Sequence, residues 1–264
     1  MVLGQQPRLF STLLRTIRPS SELTLDFMNL VHQTTPLLRP GDRVAILSLS
    51  GRGPARFPAT YELGLRRIEA MGLRPVEYST TRSAVASPSD RARDLTAAWT
   101  DPDIAGVLTT IGGRDQHLVI PLLEPDLFAT APKRFLGYSD NTQILGFLDR
   151  CGVRSLHGGV VMVEWARPGG MHPITEESLR RALFTGGKYV LPLSVASADD
   201  AQCDWHHPET LDHWPKLYPV LPPLWSGPNA VADGLVCGGA LEALETGLEP
   251  VSYTHLTLPT SDLV

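Results

Sequence analysis

The stretch KRFLGYSDNTQILGFLDRC, residues 133–151, decides the fold. Its first half is a short apolar run of the kind that forms a strand buried on both faces. Its second half, DNTQILGFLDRCG, carries apolar residues at helical spacing. Ser139 stands where one pattern gives way to the other. A strand that runs straight into a helix is the repeating unit of an α/β layer, so the neighbouring segments should alternate in the same way.

They do. Upstream, DRVAILSLSG (42–51) holds a continuous Val44–Leu49 apolar run that ends in serine and glycine, which predicts a buried strand. ATYELGLRRIEAMG places Tyr61, Leu65 and Ile68 on one helical face and stops at Gly72. RPVEYS reads as a short strand. SPSDRARDLTAAWTDPD reads as a helix, with Pro88 in an early position and Leu95 and Trp99 four apart. IAGVLTTIGG (104–113) is another buried strand, closed by two glycines. The expected fold is therefore α/β: a mainly parallel sheet with helices on both faces.

Beyond about residue 160 the texture changes. TEESLRRALFTGG is a helix with Thr175 as its expected cap. The proline-rich run that follows contains only short β-like segments and predicts a second, β-containing domain. The chain divides into an N-terminal extension (1–37), an α/β domain (38–165), a linker and helix (166–190), a partial C-terminal domain (191–250) and a tail (251–264).

Composition narrows the function. The chain has 264 residues, 42% hydrophobic and 19% charged, with a formal net charge of −5 and no basic block, which argues against a nucleic-acid partner. No uncharged run approaches a membrane span in length. The three cysteines, Cys151, Cys203 and Cys237, are widely spaced and form neither a metal-ligand pair nor a disulfide framework, so a reducing, cytoplasmic setting is expected.

Functional groups of open α/β sheets collect at the carboxyl ends of the strands. Two such ends bear chemistry here: Gly112–Gly113 and Gly137-Tyr138-Ser139-Asp140. A serine on a strand-to-helix turn presents its hydroxyl outward, and the N–H that follows it can bind a developing oxyanion. A glycine at the neighbouring strand end lets a second N–H approach the same oxygen. Ser139 would then be a nucleophile with the backbone amides of Gly113 and Asp140 as its oxyanion hole. Equally, a serine in this position caps a helix, and GYSD is not the G-x-S-x-G elbow. The residues alone leave both readings open.

LRPGDRVAILSLSG, SPSDRARDLTAAWTDPDIAGVLTTIGG, PKRFLGYSDNTQIL and ADGLVCGGALEAL occur in the order and spacing of the LD-carboxypeptidase family. The chain resembles these S66 serine peptidases, which include the microcin-immunity hydrolases, over residues 38–249. The resemblance implies that Ser139 is the nucleophile and that the amides of Gly113 and Asp140 bind the oxyanion. It also implies a Ser-Glu-His triad, no metal or organic cofactor, and cleavage of an amide bond next to a free carboxylate. The substrate would be a small peptide or muropeptide that ends in D-alanine, or a peptidyl-nucleotide antibiotic in the immunity branch. A small-molecule binding domain is the reading outside enzymes. Homodimerisation stays open. HGGVV and GGALEAL depart from the His-Gly-Pro and Gly-Gly-Asn-Leu of many members.

In this family the glutamate and histidine of the triad follow the Gly-Gly motif. Here Gly238-Gly239 is followed by only a short segment, so both are expected to be absent and the chain to be C-terminally truncated and inactive. The tail VSYTHLTLPT is the translation of GTC TCT TAT ACA CAT CTG ACG CTG CCG ACG, a transposase-type sequencing adapter. Residues 251–264 are therefore expected to be translated library DNA, and His255 to carry no catalytic meaning. Re-amplifying the locus tests this, since an uninterrupted frame encoding the same tail would overturn it.

The remaining candidates have plain alternatives. His157 is expected to be a hydrogen-bonded structural histidine, and His206-His207 beside Trp205 a surface loop lacking a third metal ligand. Glu242 and Glu245 read as solvated helix residues. Asp140 is expected to cap its own helix through its side chain. Arg114 and Asp115 either meet a substrate's charged group or are simply exposed.

Overall fold

The computed structural model describes residues 33–198, 203–221 and 238–243. Strand β1 (Arg43–Leu47) leads through a short helix α1 (Gly53–Arg56) into α2 (Pro58–Ala70), β2 (Arg74–Glu77), α3 (Pro88–Thr100) and β3 (Ile104–Thr109). Then follow α4 (Pro125–Thr130), β4 (Arg134–Gly137), α5 (Thr142–Arg150), β5 (Leu156–His157) and α6 (Pro173–Arg180). These five strands form one sheet in the order β2-β1-β3-β4-β5, with every pairing parallel. A separate antiparallel pair joins β6 (Ala196–Ala198) to β7 (Leu217–Pro219) within the segment expected to be β-rich.

Apolar strands and amphipathic helices explain the layering. Val44, Ala45, Ile46 and Leu47 of β1 are all fully buried, as a central strand covered on both faces requires. On one face Leu95 and Trp99 of α3 pack with Phe128 of α4 and Ile144, Phe147 and Leu148 of α5. The Phe128 ring meets those of Trp99 and Phe147 at 4.9 and 5.1 Å. On the other face Tyr61, Leu65 and Ile68 of α2 pack with Val161, Trp165, Leu179 and Leu183. Helices thus cover both faces, and the segment expected to link two domains packs its α6 helix onto this sheet.

Helix starts follow local chemistry. Ser87 caps α3 in a reciprocal capping box with Asp90, with Pro88 in the first turn. The start of α6 differs from expectation: Pro173 opens the helix two residues before Thr175, and the ring nitrogen of His172 accepts from the N–H of Ile174 at 3.4 Å. Proline is suited to a first helical position, which moves the cap upstream. No helix among the described residues is long and apolar enough to cross a membrane.

Candidate active site

Strand order places β1 between β2 and β3, so the chain leaves β1 and β3 in opposite directions and opens a crevice at their carboxyl ends. Three loops meet at this edge: Ser48–Arg52 after β1, Thr110–Gln116 after β3, and Tyr138–Asn141 after β4.

The β4 loop carries the unusual backbone. Arg134–Gly137 is buried throughout, Tyr138 is extended, and Ser139 then turns to φ +61°. Among the described residues no other non-glycine has a positive φ. For an L-residue with a Cβ this left-handed conformation costs about 1 kcal/mol or more. It leaves Ser139 exposed while its neighbours Asp140 and Asn141 are buried. A cap would need extended backbone and a side-chain acceptor for the helix amides. Ser139 has the wrong φ for that, and neither the 3-10 turn Ser139–Asn141 nor α5 has a side-chain cap.

The neighbours hold the turn in place. Asn141 is fully buried; its side-chain amide donates to the carbonyls of Tyr138 at 3.0 Å and Ile111 at 3.2 Å and accepts from Gln116 Nε2 at 3.1 Å. The Asp140 carboxylate accepts from Ser50 Oγ, from the Gln116 amide at 3.1 Å and from Gln143 Nε2 at 3.0 Å. Asp140 therefore does not cap its own helix as the sequence suggested. Its side chain turns towards the β1 and β3 loops, where two donors compensate its burial. Ser50 in turn accepts from the Asp115 amide at 3.1 Å.

The two glycines fit against the two serines. A methyl group on Gly112 would stand 2.7 Å from both Cβ and Oγ of Ser139 and 3.3 Å from the Asp140 nitrogen. One on Gly113 would collide with Ser50 Oγ and stand 2.5 Å from the Gly51 nitrogen. Both positions therefore require glycine for close approach. The amides of Gly113 and Asp140 make no hydrogen bond among the described residues.

The other predicted residues scatter. Exposed His157, expected to be a hydrogen-bonded structural histidine, lies with its ring 5.8 Å from that of Tyr138 and so adjoins the turn. His206 packs on Phe57 at 4.8 Å, and His207 lies 3.1 Å from Glu209 and 3.8 Å from Asp204. Glu242 is exposed just past Ala240, whose amide donates to Thr142 Oγ1 at 3.0 Å. That bond brings the Gly238-Gly239 segment to the start of α5. Arg114 is exposed, and Asp115 approaches Arg91 at 3.9 Å. Cys237, Glu245, His255 and the tail lie outside the described residues.

Sequence reasoning missed Ser50, Gln116 and Asn141, which bind the three loops together, and Glu164. The Glu164 carboxyl is pushed up from the ordinary range by burial, against hydrogen bonds from the Val160 amide at 3.0 Å and from Tyr138. Apart from Ser50, which ends an apolar run at a strand's carboxyl end, none of these bears a sequence signal.

Residues 44–158 match the family model of the LD-carboxypeptidase N-terminal domain. A Streptomyces coelicolor protein that bears a carboxypeptidase name is 33% identical over 160 residues, covering 56% of this chain and 48% of its own length. The microcin C7 self-immunity protein of Escherichia coli is 25% identical over 227 residues, covering 82% of this chain and 64% of its own length. Its solved apo structure superposes with a TM-score of 0.64 at 24% identity, covering 71% of this chain and 57% of that one, which establishes the shared fold. The chain spans about half to two-thirds of the length of these relatives.

Proposed function

We infer that this chain, which carries the N-terminal domain of the LD-carboxypeptidase family, is the nucleophile-bearing part of a serine hydrolase. Hydrolysis of a peptide-type bond is the coarse activity that family and relatives share. The finer reading is cleavage of an amide next to a terminal carboxylate, such as the terminal D-alanine of a muropeptide. The observation that carries it is the exposed Ser139 at φ +61°, the sole non-glycine in that conformation among the described residues. Strain of this kind persists only where surrounding contacts impose it, and here they present a hydroxyl at the carboxyl edge of a parallel sheet.

In this reading Ser139 Oγ attacks the scissile carbonyl and gives its proton to a histidine. The tetrahedral oxyanion is held by the amides of Gly113 and Asp140, the acyl-enzyme forms as the amine leaves, and water releases it. The histidine and its orienting glutamate come from the part of the relatives' length that this chain does not span. The chain by itself should then be inactive.

A fluorophosphonate probe tests this. A protein extended to the relatives' full length should label at Ser139 and lose labelling in Ser139→Ala, while the present chain should label far more slowly. Equal labelling of the two chains would refute the missing-base reading. Absence of labelling in the extended protein would favour a pure binding domain.

A second reading has its own support. The microcin C7 self-immunity protein has been solved with aspartyl sulfamoyl adenosine, with a TM-score of 0.64 to this chain. An amidase of that type would prefer an aminoacyl- or peptidyl-nucleotide analogue to a muropeptide ending in D-alanine, and comparing the two substrates on the extended protein separates them.

A further inference from the structure

Arg91 lies in the first turn of α3, at the same carboxyl edge of the sheet as the three loops of the candidate site. Its side chain is 2% exposed, yet its guanidinium makes no hydrogen bond among the described residues, and Nη1 is buried without a partner. Its ion-pair partner, Asp115 Oδ2, stands 3.9 Å away, beyond hydrogen-bond reach, on a side chain that is 49% exposed. Arg52, on the loop after β1, adds a second positive charge that disfavours the Arg91 cation.

The other buried cations are treated differently. Lys133 donates to the carbonyls of Ala98, Asp101 and Ile104. Arg134 donates to Thr35, Pro36 and Ala182, and even the half-buried Arg67 donates to Trp165 and Arg167. The fold thus supplies acceptors for buried cations elsewhere and withholds them from Arg91. A buried charge left short of acceptors is costly, and a planar guanidinium is suited to closing that deficit with a carboxylate through two parallel hydrogen bonds.

Asp115 also connects Arg91 to the nucleophile turn. Its amide donates to Ser50, which donates to Asp140, the residue after Ser139. Its carboxylate is the single anion paired with Arg91 among the described residues, and being half exposed it can turn outward.

We propose that Arg91 is the receptor for a carboxylate of the ligand bound at the Ser139 crevice, and that Asp115 is an internal competitor displaced when that carboxylate arrives. This rests on the hydrolase reading for the origin of the carboxylate but not for the site itself. Arg91 thereby acts as a specificity determinant for substrates that end in a free acid.

Binding to the full chain, followed by amide NMR shifts, decides the matter. The probes are N-acetyl-D-alanine, its neutral amide N-acetyl-D-alaninamide, and inorganic phosphate. The acid should bind and the amide should not. Asp115→Ala should bind the acid roughly fivefold more tightly, because the competitor is gone, and Arg91→Gln should not bind it. A purely structural ion pair predicts instead that both variants weaken alike. The proposal is overturned if Asp115→Ala binds no better than wild type, if acid and amide bind equally, or if neither wild type nor Asp115→Ala binds the acid. Tighter binding of phosphate than of the acid overturns the carboxylate assignment. Should Arg91→Gln fail to fold, Arg91→Lys keeps the charge but not the fork and should bind roughly tenfold more weakly. Fluorophosphonate labelling of Ser139 is independent of all these measurements, so failure of the hydrolase reading and failure of the Arg91 site are told apart.

Discussion

Ser50 donates its hydroxyl proton to the carboxylate of Asp140, 90 residues further along the chain, and so ties the loop after β1 to the turn that presents Ser139. Asp140 is 6% exposed and receives two further hydrogen bonds, so this contact is one of three that compensate a buried carboxylate. Removing the Ser50 hydroxyl leaves that carboxylate short of a donor. Ser50→Ala should therefore lower stability by about 1.5–3 kcal/mol, the range for hydrogen bonds to charged groups. Urea unfolding checks it, and a loss below about 0.5 kcal/mol would show that water replaces the hydroxyl at no cost.

The left-handed backbone of Ser139 makes a second expectation. Glycine adopts φ +61° without the penalty that a Cβ imposes, whereas alanine keeps it. Ser139→Gly should be more stable than Ser139→Ala by roughly 1 kcal/mol, as read from thermal or urea unfolding of the two variants. Equal stabilities would mean that the turn relaxes once the hydroxyl is gone.

Gly112 bears on the same turn from the opposite side. A methyl group there would stand 2.7 Å from Ser139 Oγ, closer than side-chain carbons and oxygens approach. Gly112→Ala should shift the Ser139 turn and destabilise the domain by about 1–3 kcal/mol. In the extended protein it should also slow fluorophosphonate labelling more than Ser50→Ala does. Unchanged labelling would show that the crevice adapts.

The layered sheet was legible because its cause is local. Buried runs such as Val44–Leu47 and helical spacing such as Tyr61, Leu65 and Ile68 record burial directly in residue order. Ser139 was legible as a residue at a strand-to-helix junction, yet its φ was not, since that depends on Gly112 and Asn141 packing across loops. The side chain of Asp140 was misread for the same reason. An aspartate at a helix start has a local partner in its own amides, and only the fold shows that Ser50 and Gln116 reach it first. Arg91 lay unnoticed inside a helical pattern, because an arginine two residues from Arg93 looks alike whether it is buried or solvated.

Lys133 gives a fourth expectation, in the scaffold instead of the site. Only 7% exposed, it donates to Ala98 in the last turn of α3, to Asp101 just beyond, and to Ile104 at the start of β3. A cation is favoured at a helix carboxyl end, and here it closes the corner from which β3 departs. Lys133→Met removes the donor while keeping much of the apolar stem. The loss should be about 2–3 kcal/mol in urea unfolding, since charged hydrogen bonds to buried carbonyls disappear together. A neutral effect would mean that solvent reaches those carbonyls.

The last expectation concerns pH. Burial raises the Glu164 carboxyl above its ordinary value, with the bonds from Val160 and Tyr138 opposing only part of the shift. A carboxyl whose folded value lies above its unfolded one holds its proton more tightly in the native state. Its contribution to stability is present in full below the unfolded value and is lost as pH rises through the folded one. Glu164→Gln has no such proton to lose. The variant should therefore gain stability relative to wild type as pH rises above the ordinary carboxyl range, and the difference should flatten once pH has passed the raised folded value. Paired urea titrations across this range measure it. If wild type instead gains on the variant as pH rises, the bonds from Val160 and Tyr138 outweigh burial, and Glu164 serves as a charged brace for the residue that precedes Ser139.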